Sequence, residues 1–357
     1  MLRSLQLKNF RSFQRFSMTE LGRVNLLVGT NNCGKTSVLE AIQILTAQGQ
    51  PEILWNSLAQ RGERSSSENA RMLVSDVRHL FYGHRLEPEL ALEISGKNDL
   101  STFTFTAQVN ENQDSQLPLD MTIDSQIPMN LKLHWLGQDS NVIEIPLVDK
   151  PRLEALRISS RLRQHPAIRF ITTSALDKDR IVADFENIVL TDEEQIVSDA
   201  LKTIEPTLER IAPVGSMERR NSYAERGGMM VKLSNSLERI PIGSMGDGIW
   251  RMLGIVLSLV NARGGVLLID EIDTGLHYTA MEHMWRVVKE TAARLDVQVF
   301  ATTHSRDCYE ALASVARPEA SKNSEISIQR IEKTKEKAVF FTEQEMVIAA
   351  ERAIEIR

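Results

Sequence analysis

The chain of 357 residues is long enough for one large domain or two smaller ones, and its 42% hydrophobic content is ample for a sizeable core. Charges of both signs sum to a formal net charge of −6, which argues against a protein that coats nucleic acid through bulk positive charge. Two cysteines, Cys33 and Cys308, point to a reducing cytoplasm, and no apolar stretch reaches signal-peptide or membrane-span pattern, so a cytoplasmic chain with no membrane partner is expected.

In chain order, "SLQLKNFRSFQRFSMTEL" alternates apolar and polar residues as strands do, and "RVNLLVG" reads as a buried central strand. Gly29-Thr30-Asn31-Asn32-Cys33-Gly34-Lys35-Thr36 then fits G-x-x-x-x-G-K-[ST] and leads into the helical pattern "SVLEAIQILTA". This strand, loop and helix order is the context of a phosphate loop, in which backbone N–H groups and a helix N-terminus surround the phosphates. Asn31, Asn32, Cys33, Gly34, Lys35, Thr36 and Ser37 are therefore the expected nucleotide-binding stretch, with Lys35 on the β and γ oxygens and Thr36 on Mg²⁺.

"WNSLAQRGERSSSENARMLVSDVRHLFYG" reads as helices broken by a polar loop. From Glu89 to Val148 the runs "LALEIS", "TFTFTAQV", "LKLHW" and "NVIEIPL" predict an antiparallel β insertion of unassigned pairing. It is either a dimerisation or partner-docking lobe or an elaboration of the chain's own antiparallel sheet. "RISSRLRQHPAIR" is either a phosphate-binding patch or a solvated helix face. "IRFITTSAL" reads as a core strand, and Lys178 to Ile211 as helices ending near Pro206 and Pro213. Strands at "MVKLSN" and "ERIPIG" precede a helix, "DGIWRMLGIVLSLVNA". Ser244, Gly246 and Gly248 at its start are either an anion site or an ordinary cap.

"GGVLLIDEID" is a buried strand ending in Asp270-Glu271, the pattern of a Walker B, although an acidic helix cap has the same spelling. As a Walker B, Asp270 holds Mg²⁺ through a water and Glu271 polarises the attacking water. After the amphipathic "YTAMEHMWRVVKETAARL", the strand "VQVFATTHS" ends at His304, which suits a γ-phosphate sensor or a loop-packing residue. "ISIQRIEK", "KAVFFTE" and a short helix complete the pattern.

Phosphate loop, S-x-G-[DE]-G-like signature, Walker B and histidine together resemble the ABC-type ATPases. "LQLKNFRSF" is similar to the opening of SMC, RecF and OLD-like ATPases, and "DEIDTGLHYTAMEHMW" to the D-E-x-[DE]-x-G-L-H segment of the compact OLD and RecF-like group. Pro51 to Ala167 matches no motif. The resemblance implies an α/β P-loop NTPase fold of ABC-ATPase type, with a mixed central sheet, an antiparallel β lobe and a helical insertion. It makes residues 1–357 one head: a phosphate-loop lobe (1–50), the helical and β insertion (51–170), a helical and strand segment (171–240), and a lobe with signature, Walker B and histidine (241–357).

It further implies that Arg11 and Ser12 lie near the nucleotide, that Glu271 is the catalytic base with Lys35 and His304 beside it, and that Thr36 and Asp270 bind Mg²⁺. Ser244 and Gly246 would touch the γ-phosphate of a partner subunit, making a homodimer, a higher oligomer or a heterodimer with a related head around sandwiched ATP. Asn32 and Cys33 replace the usual SMC-type glycine and serine, the signature lacks L-S-G-G-Q, and His277 stands where a transporter's D-loop has aspartate. Gln108 and Gln164 are candidates for the Mg²⁺-sensing glutamine. The expected function is an ATP-driven sensor or motor in DNA repair or anti-phage defence, in which DNA is a possible ligand. About fifty residues follow His304, too few for a Toprim domain, so a nuclease or toxin effector would be a separate protein. A slow-turnover nucleotide-bound scaffold that sequesters a partner is the alternative; a membrane-transporter subunit is disfavoured.

Overall fold

The computed structural model describes residues 1–63, 77–85, 90–111, 129–137, 139–146, 166–173, 176–214, 228–316 and 325–356. The chain divides into two compact units: Met1–Leu21, Asn31–His165 and Ile331–Val339 form the first, and Gly22–Thr30, Pro166–Arg330 and Phe340–Arg357 the second. It begins with β1 (Leu2–Phe10) and β2 (Phe13–Met18) in the first unit and β3 (Val24–Val28) in the second, then returns to the first for α1 (Lys35–Thr46) and α2 (Pro51–Gln60).

In the first unit, β1 and β2 are an antiparallel hairpin with Phe10 opposite Phe13, and Arg11 between them has φ 49°. The alternating runs form β4 (Ala91–Asn98), β5 (Thr102–Glu111), β6 (Met129–Leu136) and β7 (Ser140–Pro146). β4 pairs antiparallel with β1, Leu7 facing Ile94, and the sheet runs β2-β1-β4-β5-β6-β7. The insertion is thus an elaboration of the N-terminal hairpin's own sheet. Buried Leu5, Leu7, Leu92, Phe105, Ala107, Leu131 and Leu133 alternate with exposed or half-buried neighbours, as the two-residue period of strands requires. α1 supplies buried Val38, Leu39, Ala41, Ile42, Ile44 and Leu45 to the same unit.

The second unit continues with β8 (Ile168–Ile171), α3 (Lys178–Glu186), α4 (Asp192–Lys202), β9 (Leu208–Pro213), β10 (Met229–Leu233), β11 (Arg239–Pro241) and α5 (Asp247–Val260). It closes with β12 (Val266–Ile269), α6 (Tyr278–Leu295), β13 (Gln298–Thr302), α7 (Arg306–Val315), β14 (Ile326–Arg330), β15 (Val339–Phe341) and α8 (Glu343–Glu351). The sequence reading of helix up to Pro213 is corrected here: helix stops at Lys202, and Leu208–Pro213 is a strand held by an antiparallel ladder to β10. β8 is an edge strand, with only Ile171 fully buried, rather than the core strand its apolar run suggests.

The main sheet runs β15-β14-β3-β13-β12-β8, and β14, β3, β13, β12 and β8 pair in parallel. β3, β12 and β13 are buried along their whole length, as expected of a parallel sheet covered on both faces. Asn25 is the polar exception in β3, and its amide is fully used. Its Oδ1 accepts from Gly22 N–H and Ser327 Oγ, each at 2.8 Å, and its Nδ2 donates to the carbonyls of Gly22 (2.9 Å) and Val299 (3.1 Å). α5 is apolar nearly all round and almost wholly buried, and α6 packs beside it with Trp285 donating to the Cys308 carbonyl at 2.9 Å. No helix among the described residues is long and apolar enough to cross a membrane.

Candidate nucleotide site

The carboxyl ends of parallel strands are where α/β sheets gather functional loops. Here β3, β13 and β12 are neighbours, so their ends place Gly29, His304 and Asp270 along one margin of the second unit's sheet. Asp270 is buried, and its Oδ1 accepts from the Thr302 hydroxyl at 2.6 Å. The same hydroxyl accepts from the Glu271 N–H at 2.8 Å. Glu271 then turns the chain with φ 49°, an uncommon conformation for a side-chain-bearing residue. Its Oε1 lies 3.5 Å from His304 Nδ1, and Thr274 Oγ1 donates to Oε2 at 3.4 Å. Next to it, Thr303 donates to Asp273 at 2.7 Å and accepts from the Ser305 N–H at 3.0 Å, which fixes the path of the chain on both sides of His304.

In the first unit, the phosphate-loop sequence enters α1 through Asn32 at φ 60° and Gly34 at φ 105°. Gly34 caps the helix without a side-chain bond, and the first turn holds no acidic residue, leaving the positive end of the dipole uncancelled by side-chain charge. A Cβ at Gly34 would run into the Phe13 ring and lie 2.8 Å from Ser12 Oγ, so the turn after β1 sits directly against the loop. Lys35 and Cys33 are buried with Nζ and Sγ 4.0 Å apart, while Asn31 and Asn32 are exposed. Ser37 is buried and accepts from Arg61 at 3.2 Å.

Arg11 is engaged by protein groups. Its Nε lies 2.6 Å from Glu40 of α1, Nη1 contacts Glu63 at 2.7 Å, and Nη2 donates to Ser57 of α2 at 2.9 Å. Glu40 also receives Arg61 at 2.6 Å. Ser244 lies in a short 3₁₀ turn, Ile242–Met245, before α5; Ser244 and Gly246 (φ 90°) are both exposed. Gln108 is half-buried in the middle of β5, whereas Gln164 and most of "RISSRLRQHPAIR" fall outside the described residues.

Sequence reasoning missed Thr302, Thr303 and Arg251, which hold the Walker B turn. Arg251 of α5 is buried, and its Nη2 donates to the backbone carbonyls of Asp270 at 3.2 Å and Glu271 at 2.8 Å. A lone arginine in "DGIWRMLGIVLSLV" was the available signal.

Residues 24–307 fit the family described as "AAA domain, putative AbiEii toxin, Type IV TA system", a match over about four-fifths of the chain. The chain belongs to this family. It is an ATPase with an AAA domain, and its mixed α/β fold is similar to that of an SMC head. A crystal structure of an SMC head bound to the C-winged helix domain of ScpA covers 96% of this chain and 98% of its own, with TM-score 0.51 at 14% identity. An "ATP/GTP phosphatase" of Helicobacter pylori is 21% identical over 350 residues, 89% of both chains. The DNA replication and repair protein RecF of Clostridioides difficile is 49% identical over 45 residues, 13% of this chain and 12% of its own. For this AAA-domain ATPase, the hard oxygen donors of Thr36 and Asp270 have the chemistry Mg²⁺ prefers, and the Thr302 bond orients the buried Asp270 carboxylate.

Proposed function

We propose that this ATPase hydrolyses ATP with Glu271 as the base that takes a proton from the attacking water, His304 as its neighbour at the terminal phosphate, and Lys35 neutralising the β and γ oxygens. The Glu271–His304 contact of 3.5 Å at the carboxyl margin of β12 and β13 supports this reading, because a carboxylate and an imidazole lie side by side there. Asn31 through Ser37 cradle the phosphates, with Ser12 behind Gly34. Thr36 and Asp270 would hold Mg²⁺, which would shield phosphate charge. Arg11 supports the site from behind through Glu40 of α1.

The exposed Ser244 and Gly246, at the start of α5, support a contact to nucleotide held by a partner subunit, hence a homodimer or higher oligomer closed by ATP. The family description, which names a putative toxin of a Type IV toxin-antitoxin system, supports a defence role, and the RecF segment supports the DNA-repair reading; control of a separate toxin or nuclease is part of the proposal.

The deciding experiment is Glu271→Gln with ATP, followed by hydrolysis assays and sizing. We expect turnover to fall by on the order of 10²–10⁴, as removal of a general base does, and an ATP-stabilised larger assembly to accumulate. Unchanged hydrolysis together with unchanged size would defeat the proposal. The scaffold alternative is favoured if neither DNA nor a co-encoded protein alters the wild-type rate.

A further inference from the structure

We infer that Arg251 is a positioning residue for hydrolysis, which sets the aim of the Glu271 carboxylate by clasping the peptide that carries it. The inference rests on the reading of Glu271 as the base. Glu271 adopts φ 49°, and a left-handed residue with a long side chain persists only where its surroundings hold it there. Two groups do so. On the N–H side, Thr302 Oγ1 accepts from Glu271 at 2.8 Å; on the carbonyl side, Arg251 Nη2 bridges the oxygens of Asp270 and Glu271 at 3.2 and 2.8 Å. The peptide between Mg²⁺ ligand and base is thereby pinned from both faces, and the carboxylate is directed toward His304.

Stability alone does not account for this arginine. It is buried within an apolar helix, and its Nε has no hydrogen-bond partner among the described residues. Burial pulls its pKa down, opposed by the negative charges of Asp273, Asp270 and Glu271. Burying a guanidinium with an unpartnered Nε is itself costly to folding. The arrangement makes sense where the exact direction of the base matters, since a misplacement of about 1 Å costs on the order of a hundredfold in rate.

The test is a kinetic cycle on the full chain with Arg251→Met, Arg251→Lys and Glu271→Gln, with thermal melts to establish folding and an ATP-binding assay. We expect Arg251→Met to lower kcat by on the order of a hundredfold with KM and ATP binding little changed. Arg251→Lys should lose less, because an ammonium still offers donors to both carbonyls. In the Glu271→Gln background either substitution should cost nothing further, since a residue acting through the base has no base left to aim. Equal losses on both backgrounds, or a change confined to KM, would overturn the inference. Should Arg251→Met not fold, Arg251→Lys is read by the same background criterion. If Glu271→Gln itself leaves hydrolysis intact, the fault lies in the underlying assignment of the base.

Discussion

Gly34 shows how tightly one position can be determined. It needs a positive φ of 105°, and Phe13 and Ser12 occupy the space a side chain would take. Gly34→Ala combines backbone strain of about 1–3 kcal/mol with a collision against the Phe13 ring, so the ATP-free protein should melt several degrees lower; an unchanged melt would refute this packing. Glu40 is a second such position, because its carboxylate lies between Arg11 and Arg61 with both Glu40 and Arg11 nearly wholly buried. Glu40→Gln removes one charge from a buried pair and should cost about 3 kcal/mol in urea unfolding. If Arg11 serves the nucleotide only through this framework, Arg11→Lys should lower stability and leave the affinity of the residual folded protein within about threefold. Residues of this kind divide sharply in legibility. Lys35, Thr36, Asp270 and Glu271 are readable because their chemistry is carried by contiguous spelling. Thr302 and Arg251 act through contacts 19 to 32 residues away in sequence, and spacing along one strand or helix does not encode such contacts.

Among the elements, the parallel ladder between β8 and β12 depends on a residue just before the second strand. A Cβ at Gly265 would collide with the Ala167 carbonyl, and Ala167 carbonyl carbon lies 2.8 Å from it. Backbone cannot step aside as a flexible side chain can, so Gly265→Ala should destabilise by about 1–3 kcal/mol or more and loosen the hydrogen bond from the Val266 N–H to the Ala167 carbonyl. Faster hydrogen exchange at Val266 would report it; native protection there would contradict the collision. Periodicity located most strands and helices, because alternation and helical stripes are local properties. It did not reveal that β4 joins β1, since Leu7 meets Ile94 only after the intervening helices are placed. Leu208–Pro213 misled for a related reason: Pro206 and Pro213 bracket a short charged run whose strand state is imposed by the β10 ladder.

Taken as a whole, the chain passes between its two units at 21/22, 30/31, 165/166, 330/331 and 339/340. Neither unit is a continuous piece of sequence. A fragment starting at Pro166 therefore lacks β3, which lies between β13 and β14 and contributes the Asn25 bonds to Gly22, Val299 and Ser327. Expressed alone, residues 166–357 should show no cooperative thermal transition by circular dichroism, and a sharp native-like melt would show the sheet to be complete without β3.

The central place of β3 also has a consequence for synthesis. Val24 must find Val299, 275 residues later, and Ile326 later still. At about 5–20 residues per second, "VNLLV" waits roughly 14–55 s on the ribosome before either neighbour exists. Throughout that time it is an apolar strand with two bare edges, the form in which nascent chains stick to one another. The strand that leads into the phosphate loop is thus a segment that gains from shielding while the chain is being made.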